Sequence, residues 1–242
     1  ERRPVKLTIF ATIAILIGGI VQIVPSLMVD EYVPVISSVK PYTPLELEGR
    51  DIYIREGCVS CHSQMIRPFR SEVERYGEYS KAGEYVYDYP FLWGSKRTGP
   101  DLMRVGGKYS DNWHLNHMYD PQSTSSGSIM PSYKWIVTDE LDKSDTEAKM
   151  KALSTLGVPY TLEEIENAQQ SMTEQGIQIE KNLYADPDFV DTYEAEKEFA
   201  AQNGNEFVEM RNREIVALIA YLQRLGTDIK AKDVEVTNTK TN

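Results

Sequence analysis

Cys58, Val59, Ser60, Cys61 and His62 set two thiols three positions apart, with an imidazole directly after the second. That spacing is the attachment signature of a c-type haem. The thiols add to the two vinyl groups of the porphyrin and the adjacent imidazole ligates the iron. These are the only two cysteines in the chain, so no other thiol competes for the role. The implied chemistry is one-electron transfer. A dithiol redox pair is a weaker reading, because such pairs sit at a helix start in a thioredoxin-like βαβ unit and none is visible here. Zinc could be completed by His114 and His117 as a Cys₂His₂ set, but the long gap and the histidine directly after Cys61 speak against it. A disulfide between Cys58 and Cys61 would close too small a loop to stabilise much.

A six-coordinate iron needs a ligand on the opposite haem face, commonly Met or His. Met65 is too near His62 in sequence to cross over. Met103 follows the Gly99-Pro100-Asp101-Leu102 turn, which is placed on the histidine side. Met130 sits in a polar Ser/Gly-rich loop just before Pro131 and is the leading candidate, with His114 and His117 as the alternatives. A thioether ligand raises the reduction potential. The carbonyl of Pro100 is assigned to accept the Nδ1–H of His62, a bond that orients a ligating imidazole. Arg67, Arg70, Arg97 and Arg104 are candidates for offsetting propionate charge.

These residues need elements to hold them. A helix over residues 45–56 leads into the motif, with apolar residues at 45, 47, 52 and 54. Residues 63–98 read as a long irregular stretch rich in Tyr, Arg and Glu, and a loop of that length is usually functional or clamped. Residues 111–119 suit a short helix with Asp111 near its start. Helices are expected over 139–156 and over 161–175, the second opened by a Thr161–Glu164 capping box. Residues 176–209 look like a polar, acidic insertion. Residues 213–225 form a strongly amphipathic helix, stopped by Gly226. The fold class is therefore mainly α.

Residues 7–29 are almost wholly apolar, broken only by Gln22. About 20 residues at ~1.5 Å each cross a ~30 Å hydrocarbon core, so the run reads as a single N-terminal transmembrane helix. Gly18, Gly19 and Ser26 would let another helix approach it. Arg2, Arg3 and Lys6 precede the span and Asp30 and Glu31 follow it, which places the N-terminus in the cytoplasm and the remainder in the periplasm of a bacterium. The expected division is 1–29 as N-terminus and anchor, 30–48 as linker, 49–229 as the haem domain (with the insertion at about 170–209) and 230–242 as a polar tail. The formal net charge of −11 disfavours nucleic acid.

An N-terminal helix running into CxxCH, a Gly-Pro-Asp-Leu turn, a Met-Pro loop and a terminal helix ending Tyr221-Leu222-Gln223-Arg224-Leu225-Gly226 resembles class I cytochrome c. More narrowly, the anchor together with GCVSCHSQMIRPFRSEVERYGEYS, YDYPFLWGSKRTGPDLMRVGGKYSDNWHLNHMYDP and MPSYKW resembles the membrane-anchored monohaem subunit (subunit II) of cbb3-type cytochrome c oxidase. The resemblance covers most of residues 7–160 and 213–229 and not the stretch at about 170–209.

That resemblance implies a bacterial inner-membrane electron carrier with one covalent haem c, an enzyme only as part of its complex. It implies a companion multihaem cytochrome c subunit or a soluble cytochrome c as donor. The acceptor would be the b-type haem of a catalytic subunit that reduces oxygen and pumps protons. Residues 63–98 would dock on that subunit. A calcium ion near the junction is also implied, with Ser95 as a contributor that its spacing does not itself mark. The competing functions are a c-type haem peroxidase, which needs an open coordination site, and a haem-based sensor or structural anchor.

Overall fold

The computed structural model describes residues 3–28 and 36–230. The first element, α1 (Pro4–Met28), has no acidic residue in its first turn and no basic residue in its last, and apart from Lys6 and Gln22 it carries no strongly polar side chain. Its stretch Pro4–Pro25 is long and apolar enough to cross a membrane, and none of it is buried against the rest of the chain. Residue 29 of the expected span, the acidic pair after it and the rest of residues 30–35 of the expected linker lie outside the described residues.

The haem-motif helix, α2 (Pro44–Arg55), starts where the sequence supplies a full set of start signals. Thr43 accepts the Glu46 N–H, Glu46 reaches back to the Thr43 N–H, and Pro44 occupies the first turn. The sharp start fixes where α2 ends, and hence where Cys58 emerges in the short 3₁₀ turn Cys58–Ser60.

Further along come α3 (Arg70–Tyr76), α4 (Asp111–Tyr119), α5 (Pro121–Thr124) and α6 (Lys134–Thr138). They are followed by α7 (Thr146–Thr155), α8 (Leu162–Glu166), α9 (Ala168–Leu183), α10 (Pro187–Asn203) and α11 (Glu214–Arg224). The described residues contain no strand, only one antiparallel bridge between Glu140 and Arg213. The mainly α expectation holds.

The core is built on α11. Ile215, Val216, Ala217, Leu218, Ile219 and Tyr221 are all fully buried. Burial of each large aliphatic side chain is worth about 1.5–3 kcal/mol, so this one helix supplies a large share of the apolar drive. It crosses α2 and also touches α4, α6 and α9. The crossing with α2 is close because Gly49 lies at it. A Cβ at Gly49 would stand 1.9 Å from the Ala217 carbonyl oxygen and 2.9 Å from Tyr221 Cβ. Tyr221 fills the space beside the crossing, its ring 5.6 Å from those of both Tyr42 and Tyr53.

Two expected helices and the expected insertion are redrawn. Residues 139–143 are not helical, because Asp139, Glu140 and Leu141 pair with the entry to α11, and the helix starts only after a turn at 144–145. Leu141 N–H donates to the Asn212 carbonyl and Glu214 N–H to the Asp139 carbonyl, and backbone so engaged cannot close helical turns. The expected helix over 161–175 keeps its Thr161–Glu164 capping box but breaks at Asn167 into α8 and α9. Beyond it, the supposed insertion is largely helical. The α9 helix continues through Gly176 with Ala168, Met172, Ile179 and Leu183 buried on one face. Gly176 lets the Arg211 carbonyl approach closely; a Cβ there would stand 3.0 Å from it. The following helix, α10, is started by the Asp186 cap and Pro187 and is held through Tyr193, whose hydroxyl accepts the Met210 N–H.

Candidate haem site

The histidine of the motif is held from several sides. His62 Nδ1 lies 2.8 Å from the Pro100 carbonyl oxygen. A carbonyl only accepts, so the proton of the neutral ring sits on Nδ1 and the lone pair is on Nε2. Burial pushes the imidazole pKa below its usual value, which keeps the ring neutral. Gly99 is packed flat against the same ring. A Cβ at that position would stand 2.2 Å from His62 Cε1 and 2.7 Å from Nδ1. No other residue leaves room for the imidazole in this orientation.

The turn carrying Gly99 and Pro100 is laced to the motif strand by strand-like bonds. Gly99 N–H donates to the Cys61 carbonyl (3.0 Å) and Leu102 N–H to the Ser63 carbonyl (2.9 Å). Asp101 completes the clamp. Its Oδ2 accepts the Ser63 hydroxyl at 2.5 Å and the Met65 N–H at 3.0 Å, and its Oδ1 accepts the Met103 N–H at 2.9 Å. From the core side, the Tyr53 hydroxyl donates to the His62 carbonyl at 3.3 Å. The Tyr221 hydroxyl meets Gln64 Oε1 at 3.0 Å. Each such bond contributes about 1 kcal/mol, and together they fix the imidazole before any ligand arrives.

The two thiols are free, Cys58 buried and Cys61 exposed. Burial, with a lesser push from Glu56, raises the Cys58 thiol to about 12. A redox-active dithiol needs the opposite shift, toward the thiolate. The described residues also contain no group of three or more His, Cys, Asp or Glu able to hold a metal ion, so the four zinc candidates are not assembled.

Met130 lies in the loop between α5 and α6. It is half-buried and packs against the same core cluster that contains Cys58. Two neighbours tie this loop region to the motif electrostatically. The Tyr133 phenol is raised by burial first and then by Cys58 and Cys61. The His117 imidazole is lowered by burial first and then by His62. Met103 instead packs with Ile66 and Tyr85 in a separate cluster. His114 is buried, with its pKa pushed down to about 4 by burial, and its Nε2 has no hydrogen-bond partner.

All four arginines considered for the propionates are paired with carboxylates. Arg67 and Arg97 share Glu72, Arg97 also reaching Asp101. Arg70 pairs with Glu74, and Arg104 with the buried Glu84. These pairs fold the 63–98 segment onto itself, which explains how a stretch with so little regular structure is held. Ser95 is exposed. With no metal-binding group among the described residues, the calcium expectation gains no support.

A family model described as cytochrome C oxidase, mono-heme subunit/FixO matches residues 1–229. The chain belongs to that family. It is thus the mono-haem subunit of a cbb3-type oxidase, a membrane-anchored part of that complex with an electron-transfer role. A comparison with individual curated proteins returns no match.

The site fits the group the family implies. One chain carries one CxxCH, one oriented imidazole with a free Nε2 lone pair, and one methionine loop beside the same core. Sequence reasoning proposed Cys58, Cys61, His62, Pro100 and Met130; the structure places the Pro100 carbonyl on His62 and the Gly99 N–H on the Cys61 carbonyl, beside the motif. It missed Gly99, Ser63 and Asp101 as the parts that brace His62. The signal available was the turn dipeptide Pro100-Asp101 itself, whose aspartate commonly bonds nearby backbone N–H groups.

Proposed function

We propose that the chain relays single electrons through a haem c held by thioethers at Cys58 and Cys61 and ligated by His62 and Met130. When bound, the haem supplies a one-electron iron couple. The protein's part is to fix the coordination. Pro100 sets the tautomer of His62, Gly99 and Asp101 set its orientation, and Met130 would supply the second protein ligand. The carrying observation is the 2.8 Å contact from His62 Nδ1 to the Pro100 carbonyl, which leaves Nε2 as the ligating atom.

In this reading electrons arrive from a companion multihaem cytochrome c subunit or a soluble cytochrome c. They leave to the b-type haem of the catalytic subunit, where oxygen is reduced with proton pumping. Residues 49–229 make up the haem domain, on the periplasmic side of a bacterial inner membrane, with the N-terminus cytoplasmic and α1 among lipid. The charges Arg2, Arg3 and Lys6 before the span and Asp30 and Glu31 after it support that orientation. The 63–98 segment faces the catalytic subunit. Its stacked pair Phe91 and Trp93, with ring centroids 4.5 Å apart, is left exposed together with Phe69, Tyr79 and Tyr89, as a docking surface requires.

The test is the absorption spectrum of the Met130→Ala protein. The reading expects loss of the methionine-to-iron charge-transfer band and new binding of carbon monoxide to the ferrous haem. An unchanged spectrum removes Met130 from the assignment.

A further inference from the structure

The loop that carries Met130 is fastened to α4 at two places. At its far end the Tyr133 N–H donates to the Met118 carbonyl at 2.8 Å, and the Ser132 hydroxyl donates to the Tyr119 carbonyl. At its near end the fastening is made by side chains. His117 Nδ1 lies 2.5 Å from Thr124 Oγ1, while the same hydroxyl is 3.3 Å from the Pro121 carbonyl. Both contacts are satisfied together when His117 Nδ1–H donates to Thr124 and the hydroxyl proton goes to Pro121.

Between these ends the loop is held by its own short-range bonds. Ser125 N–H donates to the Pro121 carbonyl and Ser128 N–H to the Ser125 carbonyl, both at 3.0 Å. The Gln122 side-chain amide reaches the Ser128 carbonyl at 3.2 Å, and Met130 N–H donates to Ser128 Oγ at 3.2 Å. The chain of contacts from Thr124 to Met130 is therefore continuous.

His117 is itself fixed. Its ring stacks on Trp113 at 4.5 Å and 13°, and Trp113 stacks on Tyr109 at 3.9 Å and 14°. A ring clamped in such a column presents Nδ1 in one direction and loses little side-chain freedom by bonding Thr124.

We infer that His117 is a positioning residue for the Met130 thioether, acting through Thr124 to hold the near end of the Met130 loop against α4. This deepens the proposed relay and rests on Met130 being the iron ligand. Removing the bond leaves the near end held by the turn at Asp120, whose side chain takes the Gln122 N–H and whose carbonyl takes the Ser123 N–H and hydroxyl, with no side-chain tie from the body of α4 to Thr124, and raises the population in which Met130 is off the iron. The loss of one hydrogen bond of this kind corresponds to a rise of about tenfold in that population.

The experiment uses the haem-loaded full chain in its oxidase complex, with Thr124→Val, Thr124→Ser and His117→Leu compared with Met130→Ala. The readouts are the methionine-to-iron charge-transfer band and the fraction of ferrous haem that binds carbon monoxide. Thr124→Val, which keeps the side-chain shape, is expected to weaken the band and raise carbon monoxide binding about tenfold. Thr124→Ser, which keeps the hydroxyl, is expected to restore both. If Met130→Ala loses the band while Thr124→Val equals wild type, the positioning role is overturned and the ligand assignment stands. If His117→Leu alters the spectrum but Thr124→Val does not, His117 acts on the haem directly and the inference also falls. If Met130→Ala keeps the band, the underlying ligand reading fails instead. The Thr124 pair decides the matter even if His117→Leu does not fold.

Discussion

Gly99 lies against the face of His62, close enough that a Cβ there would come within 2.2 Å of the imidazole Cε1. The contact makes a glycine in the turn a determinant of where the histidine points. Gly99→Ala must push the ring or the turn away. In the proposed reading the haem is attached at Cys58 and Cys61 independently of that contact, so covalent haem is expected to be retained on a denaturing gel. The native ferric spectrum is expected to gain a high-spin component as the His62–iron bond weakens. A spectrum identical to wild type would show that the turn yields without disturbing the ring.

Asp101 is the brace behind that turn. Its two oxygens accept three bonds, from Ser63, Met65 and Met103, and Arg97 lies beside it at 3.5 Å. Asp101→Asn replaces one acceptor by a donor facing other donors. The expected cost is about 2 kcal/mol, read as a fall in the thermal midpoint of roughly 4–8 °C. A midpoint within a degree of wild type would mean the turn is held mainly by its backbone bonds.

Glu72 gives the segment after the motif a defined acid sensitivity. Arg97 first, and then Arg67, hold its carboxyl down at about 2, from the ordinary glutamate value of 4.5. A folded-state value below the unfolded one stabilises fully above about pH 4.5 and loses that contribution as pH falls toward 2. Glu72→Gln is expected to cost about 1–2 kcal/mol at pH 7, discounted because Arg67 is half in solvent, and to flatten the stability profile between those two pH values. Urea midpoints measured at pH 7, 4.5 and 3 check this; parallel profiles for the two proteins would contradict it.

What could be read from the chain was what depends on near neighbours in sequence. The Cys58–His62 motif is five consecutive residues, α4 carries its own start and stop signals, and the capping box at Thr161 sits where it was expected. The Pro100 contact to His62 was accessible because the Gly-Pro-Asp-Leu turn is itself a compact unit. The errors arose where distant chain decides local structure. Residues 139–143 read as the start of a helix but are drawn out where 139–141 pair with 212–214. The close approach of the Arg211 carbonyl to α9 at Gly176 comes from a distant part of the chain. The four arginines suggested for the propionates could not be sorted without knowing that Glu72, Glu74, Glu84 and Asp101 lie beside them.

The central claim is that electrons reach the catalytic subunit through the haem held by this chain. The most direct measurement is the stopped-flow rate of haem b reduction by a cytochrome c donor in the assembled oxidase, wild type against Met130→His. A histidine in place of the thioether lowers the reduction potential, and each ~59 mV in a one-electron couple is a tenfold change in equilibrium. The account predicts that haem b reduction slows by about tenfold or more while oxygen still oxidises pre-reduced haem b at the wild-type rate. Haem b reduction at the wild-type rate in Met130→His, with histidine ligation verified by its spectrum, would contradict the relay.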